Sequence, residues 1–244
     1  MSHTTTDIIT CRACGWQQDF TLWKCLNVTF YPERKLELLS SELTTFVCQK
    51  CGWSMELLYP LLYHDMRKNL MIHLLPSAGD PDSSTFPFST RMSDYRFRHV
   101  RTLNELVEKI FIAEAGFDDR VVECFKYLLC VELLAHGKPI PQDLVFLEVT
   151  TAESGEDVMI FEFSLKEQLG YEAPFKSFRK LEAMLAPQLP SIESDSHYGL
   201  RSIPHTQNPS SRNSPPNPDR LSGQIVNRKS SNRKWNWRVS RALY

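Results

Sequence analysis

Four of the seven cysteines in this 244-residue chain sit in two near-identical short turns, CRACG from Cys11 and CQKCG from Cys48, each followed by tryptophan. The pairs are separated by 33 residues. Two cysteines with two residues between them can direct both sulfurs to one metal. A glycine after the second lets the turn take positive φ while backbone N–H groups point at the thiolates. Two such turns bring four sulfurs into a tetrahedron with bonds of about 2.3 Å, a donor set that suits zinc. The candidate metal ligands are therefore Cys11, Cys14, Cys48 and Cys51. Competing readings are four loop cysteines without a shared role, or thioredoxin-like redox pairs. A redox pair needs only one CxxC beside a βαβ pattern, which leaves the second turn unexplained. Iron uses the same ligand set, and spacing alone does not separate it from zinc. One Zn2+ per chain is the expectation.

Hydrophobic residues make up 42% of the chain, enough for a core, and no apolar run approaches the roughly 18 residues of a membrane helix. The segment MSHTTTDIIT lacks the basic and apolar regions of a secretory signal, so the expected location is cytoplasmic. In that setting an odd cysteine count reads as metal ligands plus buried thiols, not as a disulfide framework.

The formal net charge of -1 conceals a segregation. Residues 1–190 carry 19 Lys+Arg against 26 Asp+Glu, whereas residues 191–244 carry 9 against 3. The same boundary marks a change to Ser, Pro and Asn with few large apolar residues, which predicts a disordered basic tail over 191–244. Near its end, Arg228, Lys229, Arg233, Lys234, Arg238 and Arg241 interleave with Trp235 and Trp237. Such a mixture can contact phosphates through charge, and its indoles can stack on bases or enter a membrane interface. The plainer reading is an extension with no specific role.

Between these ends, periodicity predicts an α+β fold. Phe20, Leu22, Leu26, Val28 and Phe30 suit a strand, and ERKLELLSSEL after Pro32 a short helix. Thr44 to Val47 reads as a strand into the second cysteine pair. WSMELLYPLLY and NLMIHLLP read as two strands across HDMRK. This zinc-ribbon-like β unit is expected over 7–76, a loop over 77–94, and a helical part with a C-terminal β-hairpin over 95–190. Thr102 and Glu105 form a capping box for a helix carrying Leu103, Leu106, Val107, Ile110 and Phe111. Asp118 caps a second helix to about His136, which Gly137 and Pro139 stop. DLVFLEVT and DVMIFEFS form the hairpin, and APFKSFRKLEAMLA a last helix.

In this order, CRACG, then FVCQKCGWSMELLYPLLYHD, then RTLNELVEKIFIAEAGFDDRVVECFKYLL resemble the CpXC proteins, a bacterial and archaeal family with two Cys-Pro-x-Cys knuckles. The resemblance spans about residues 7–130. It implies a zinc site formed by Cys11, Cys14, Cys48 and Cys51 and assigns no activity. The chain departs from the pattern at Arg12 and Gln49, where the family has proline. The departure loosens the preset φ of each knuckle and removes no ligand.

Other candidates have plainer explanations. Cys25 reads as a packed thiol, with a spare ligand or a reactive thiol as alternatives. Cys124 and Cys130 lie six apart on one helix and point in different directions. His64 and Asp65 are read as hairpin-turn residues, with no acid, base or nucleophile tied to them by spacing. The expected function is a structural zinc or protein-interaction module with a protein partner. Nucleic-acid binding by the ribbon or tail is the alternative, and an enzyme with a pocket between ribbon and helices is a third. The acidic balance of residues 1–190 counts against the ribbon as a phosphate-contacting surface.

Overall fold

The computed structural model describes residues 2–76, 94–138, 143–164, 169–191 and 224–227. The chain forms two compact units, with the division between Val107 and Glu108.

The first unit is built on a five-stranded sheet. Strand β1 (His3–Thr10) turns at the first cysteine pair into β2 (Gln17–Asn27), with Thr10 opposite Gln17. β1 has no apolar alternation, only HTTTDIIT, and its assignment as a strand comes from pairing with β2. After helix α1 (Pro32–Leu39), whose first residue is the expected proline, β3 (Thr45–Val47) and β4 (Ser54–Glu56) form a separate hairpin around the second cysteine pair. The sequence reading made WSMELLYPLLY one strand, and here it is corrected. Pro60 offers no N–H to a ladder, and the chain leaves β4 to re-form as β5 (Leu61–Asp65) in the larger sheet. β5 pairs antiparallel with β6 (Leu70–Leu74), and β6 pairs parallel with β7 (Arg96–Val100), giving the order β1-β2-β5-β6-β7.

Register explains which side chains are buried. Leu26, Tyr63 and Ile72 are cross-strand partners in one row, and Leu61, Leu74 and Val100 in the next. All six are buried, on one face of the pleat. The other face carries the row Cys25, Leu62, His73 and His99. The predicted turn position of His64 and Asp65 is likewise corrected. Both belong to β5, and the turn over residues 66–69 is closed by the Asp65 carboxylate accepting from the Arg67 and Lys68 N–H groups at 3.0 and 3.3 Å.

Helix α2 (Leu103–Glu114) crosses the division between the units. Its capping box is present: the Glu105 N–H donates to Thr102 Oγ1 at 3.2 Å, and the Glu105 carboxylate accepts from the Thr102 N–H at 3.4 Å. In the second unit, α3 (Asp119–Ala135) starts at Asp118, whose carboxylate accepts from the Arg120 N–H at 2.9 Å. The predicted hairpin is β8 (Val145–Thr151) and β9 (Asp157–Ser164). It extends into a four-stranded sheet, because β10 (Leu169–Pro174) pairs with β9 on one side and with β11 (Gln224–Asn227) on the other. Helix α4 (Phe175–Leu185) follows β10 directly. Phe117, Phe125, Phe146, Phe161 and Phe178 lie at the centre of this core, the closest pair being Phe117 and Phe178 with ring centroids 4.9 Å apart. The expected loop over 77–94 lies outside the described residues except for Asp94. So does the expected tail over 191–244, apart from Ser191 and the four residues of β11.

Candidate metal centre

Each cysteine pair occupies the turn of its own hairpin, and the two turns are built alike. In the first, the Cys11 N–H donates to the Trp16 carbonyl at 2.7 Å and the Gly15 N–H to the Cys11 carbonyl at 2.9 Å. In the second, the Cys48 N–H donates to Trp53 at 2.8 Å and the Gly52 N–H to Cys48 at 2.9 Å. Both glycines are left-handed, with φ of +70° and +73°, in open space that a side chain could occupy. The requirement for glycine there is one of backbone conformation, not of crowding. This repeat in the sequence therefore encodes one knuckle geometry used twice.

The four sulfurs meet between the turns. All lie within 4.8 Å of one another, with Cys11 Sγ 3.7 Å from Cys51 Sγ and Cys14 Sγ 3.6 Å from Cys48 Sγ. A tetrahedron with bonds of about 2.3 Å has edges of about 3.8 Å, so the spacing fits a four-thiolate ion site. Cys11 and Cys48 are buried, Cys14 is half-buried and Cys51 is exposed. The inner wall is a small apolar cluster in which Cys11, Phe46 and Cys48 are packed by Ile9, Cys14, Phe20, Trp53, Met55 and Leu57. The strands that carry the knuckles thus also supply their apolar support.

The thiols are electrostatically unequal. Burial raises the Cys48 thiol pKa, but the Cys51 and Lys50 N–H groups and the thiols of Cys11 and Cys14 outweigh it, bringing it down to about 7. At Cys51 the Trp53 N–H favours the thiolate, but burial and the crowding of Cys14, Cys11 and Cys48 prevail and push it up to about 12. Successive thiolates in one small volume repel. A dication at the centre would remove that penalty, which ties metal binding to proton release.

Side chains also join the two hairpins. The Gln18 carboxamide accepts from the Gln49 N–H at 2.8 Å and donates to the Val47 carbonyl at 3.0 Å, while Lys50 Nζ stands 5.6 Å above the Trp16 ring. Sequence reading missed Gln18, because a half-buried glutamine beside a second one, Gln17, carries no motif signal.

The remaining cysteines stay apart from this group. Cys25 is half-buried on the sheet, and burial pushes its thiol up. Burial likewise raises Cys124 and Cys130 on α3. Among the described residues, Cys11, Cys14, Cys48 and Cys51 form the sole cluster of three or more metal-ligating side chains. His64 is held between the Asn27 side-chain amide, 3.3 Å from its Nδ1, and the Tyr95 hydroxyl, 3.2 Å from its Nε2. Of the tail candidates, Arg228, Lys229, Arg233, Lys234, Trp235, Trp237, Arg238 and Arg241 all lie outside the described residues.

The CpXC protein family matches residues 9–126, which include all four cysteines and end inside α3. No curated protein and no solved structure matches the chain.

Proposed function

Residues 9–126 belong to the CpXC protein family, and from that premise we propose that the two knuckles hold one structural zinc ion and that the protein acts by binding a protein partner. The observation that carries this reading is the mutual proximity of the four thiols, all within 4.8 Å. Four thiolates complete a tetrahedral shell and leave no open position for water or substrate, whereas catalytic zinc keeps one. In the loaded site Cys11, Cys14, Cys48 and Cys51 would be the ligands, and zinc would cross-link the turn of β1 and β2 to the small separate hairpin of β3 and β4. Elemental analysis of the purified protein should find one zinc per chain, and Cys48→Ser should lose it together with the fold of both hairpins. Apparent stabilisation of small zinc sites is on the order of 10 kcal/mol. Absence of zinc, with all four thiols rapidly alkylated in the native protein, would overturn the structural-zinc reading. Finding iron instead would keep the site and replace its metal.

A second reading, contact with nucleic acid, is favoured by the charge distribution. Residues 1–107 balance 11 Lys+Arg with 11 Asp+Glu, so the acidic surplus of residues 1–190 lies beyond Val107. The knuckle-bearing residues 1–107 therefore carry no net acidic charge to repel phosphate, and the basic residues of 191–244 remain the strongest phosphate attractor in the sequence.

A further inference from the structure

We infer that Gln18 is a positioning residue for the metal centre, holding the second cysteine hairpin in place against the first. The inference rests on the zinc-site reading above. Within the second knuckle, the Lys50 and Cys51 N–H groups point to Cys48 Sγ, whereas the Gln49 N–H is directed out of the knuckle to Gln18 Oε1 at 2.8 Å. The same carboxamide donates through Nε2 to the carbonyl of Val47, the residue before Cys48, at 3.0 Å. One side chain from β2 thus grips the backbone on both sides of Cys48, donor to acceptor and acceptor to donor. A carboxamide holds its acceptor and its donors in one plane, whereas an ionised carboxylate only accepts.

The position of the clamp makes it consequential. Gln18 follows the first knuckle by two residues, so its reach to Val47 and Gln49 fixes one pair of ligands relative to the other. Without such a link, the hairpin of β3 and β4 must be oriented by the ion itself, at the cost of the entropy of aligning two pieces of chain. Gln49 can serve because it keeps an N–H. Proline at this position, where the CpXC pattern places it, would remove the donor and restrain φ instead. This chain exchanges a ring restraint within the knuckle for a hydrogen-bonded one between knuckles. The neighbouring Gln17 acts differently: its Nε2 donates to Thr10 Oγ1 at 3.2 Å, inside the first hairpin only.

The test compares zinc release from the full-length chain to an excess of chromophoric chelator. Gln18→Ala should release zinc roughly three- to tenfold faster than the parent, the share expected of two partly exposed hydrogen bonds. Gln17→Ala should match the parent, and Gln18→Glu, which keeps the acceptor and loses the donor, should fall between. In the Gln49→Pro background the effect of Gln18→Ala should shrink at least by about half, since one of its two partners is gone. The Co2+-loaded Gln18→Ala protein should keep its tetrahedral absorption, which separates faulty positioning from a lost site. Amide exchange at Gln49 in the metal-loaded protein should quicken in Gln18→Ala. This arm stands even if zinc is not the ion or Gln49→Pro does not fold. Equal release from Gln18→Ala and Gln17→Ala, an undiminished effect in the proline background, or unchanged Gln49 exchange would each overturn the inference.

Discussion

At the residue scale, the two knuckle glycines and the four thiols should respond to separate perturbations. Gly52 has φ of +73° with open space around it, so Gly52→Ala incurs only the left-handed backbone cost, about 1 kcal/mol. Metal should still bind, with its affinity lowered about five- to tenfold, and Gly52→Asn should cost less because asparagine tolerates this region better. Competition with a chelator of known affinity reads both. Acidity acts on the sulfurs. Ligation requires thiolates, and with Cys48 brought down to about 7 and Cys51 pushed up to about 12, binding must displace protons at neutral pH. The sign follows directly: protons compete with the ion, so affinity falls as pH falls, and metal loss on acidification should track unfolding of the hairpins. A pH series of zinc retention followed with a zinc-sensitive dye, alongside near-UV circular dichroism, checks the coupling. Retention of metal with unfolded hairpins would break it.

At the scale of elements, the join between α2 and α3 is ionic as well as apolar. Lys109 is buried, with Nζ 3.2 Å from Asp119 and 2.8 Å from Glu123, and Lys126 bridges Glu123 at 3.2 Å to Glu108 at 2.9 Å. Glu108 also accepts the Phe146 N–H at 2.6 Å, tying this network to β8. Burial opposes the charge on Lys109, but Glu123, Asp119 and Glu108 outweigh it and raise its pKa, so it stays cationic. Removing it takes a buried cation from Asp119 and Glu123, and Lys109→Met should destabilise the second unit by roughly 3–5 kcal/mol. Urea denaturation measures this, and zinc content should be unchanged because the knuckles lie in the other unit. The capping box is a smaller contributor. Thr102→Ala should cost about 1 kcal/mol, measurable in the same denaturation series.

For the molecule as a whole, charge separates along the chain. Residues 1–107 are balanced, residues 108–190 hold 8 Lys+Arg against 15 Asp+Glu, and residues 191–244 are basic. No described helix is long and apolar enough to cross a membrane. If the basic segment contacts nucleic acid, binding should weaken steeply with salt and show no sequence preference. Trp235→Ala and Trp237→Ala should then each weaken single-strand binding by roughly 1–3 kcal/mol while leaving the metal in place. A salt titration of the full chain and of one ending at Ser191, against single-stranded DNA and against anionic vesicles, assigns the contact. Equal affinity of both chains would move it to the knuckle-bearing unit, and no binding by either would leave the protein-partner reading alone.

The two cysteine knuckles, the helix starts and the hairpin of β8 and β9 were legible in sequence because their causes are local. Knuckle turns need cysteine and glycine at fixed spacing, caps need Thr102, Glu105 and Asp118 beside the N–H groups they serve, and a helix repeats its apolar face within a few residues. What sequence alone could not decide is set by partners distant along the chain. HTTTDIIT is a strand because β2 lies beside it, LGYEAP because β9 does, and WSMELLYPLLY is divided between two sheets because each half has a different neighbour. The meeting of the two knuckles belongs to the same class. Gln18 has no periodicity or motif to mark it, and its role arises only when Val47 and Gln49 are brought to it by tertiary packing. Ladder and clamp hydrogen bonds pair groups whose separation in sequence is unconstrained, so only the folded chain specifies them.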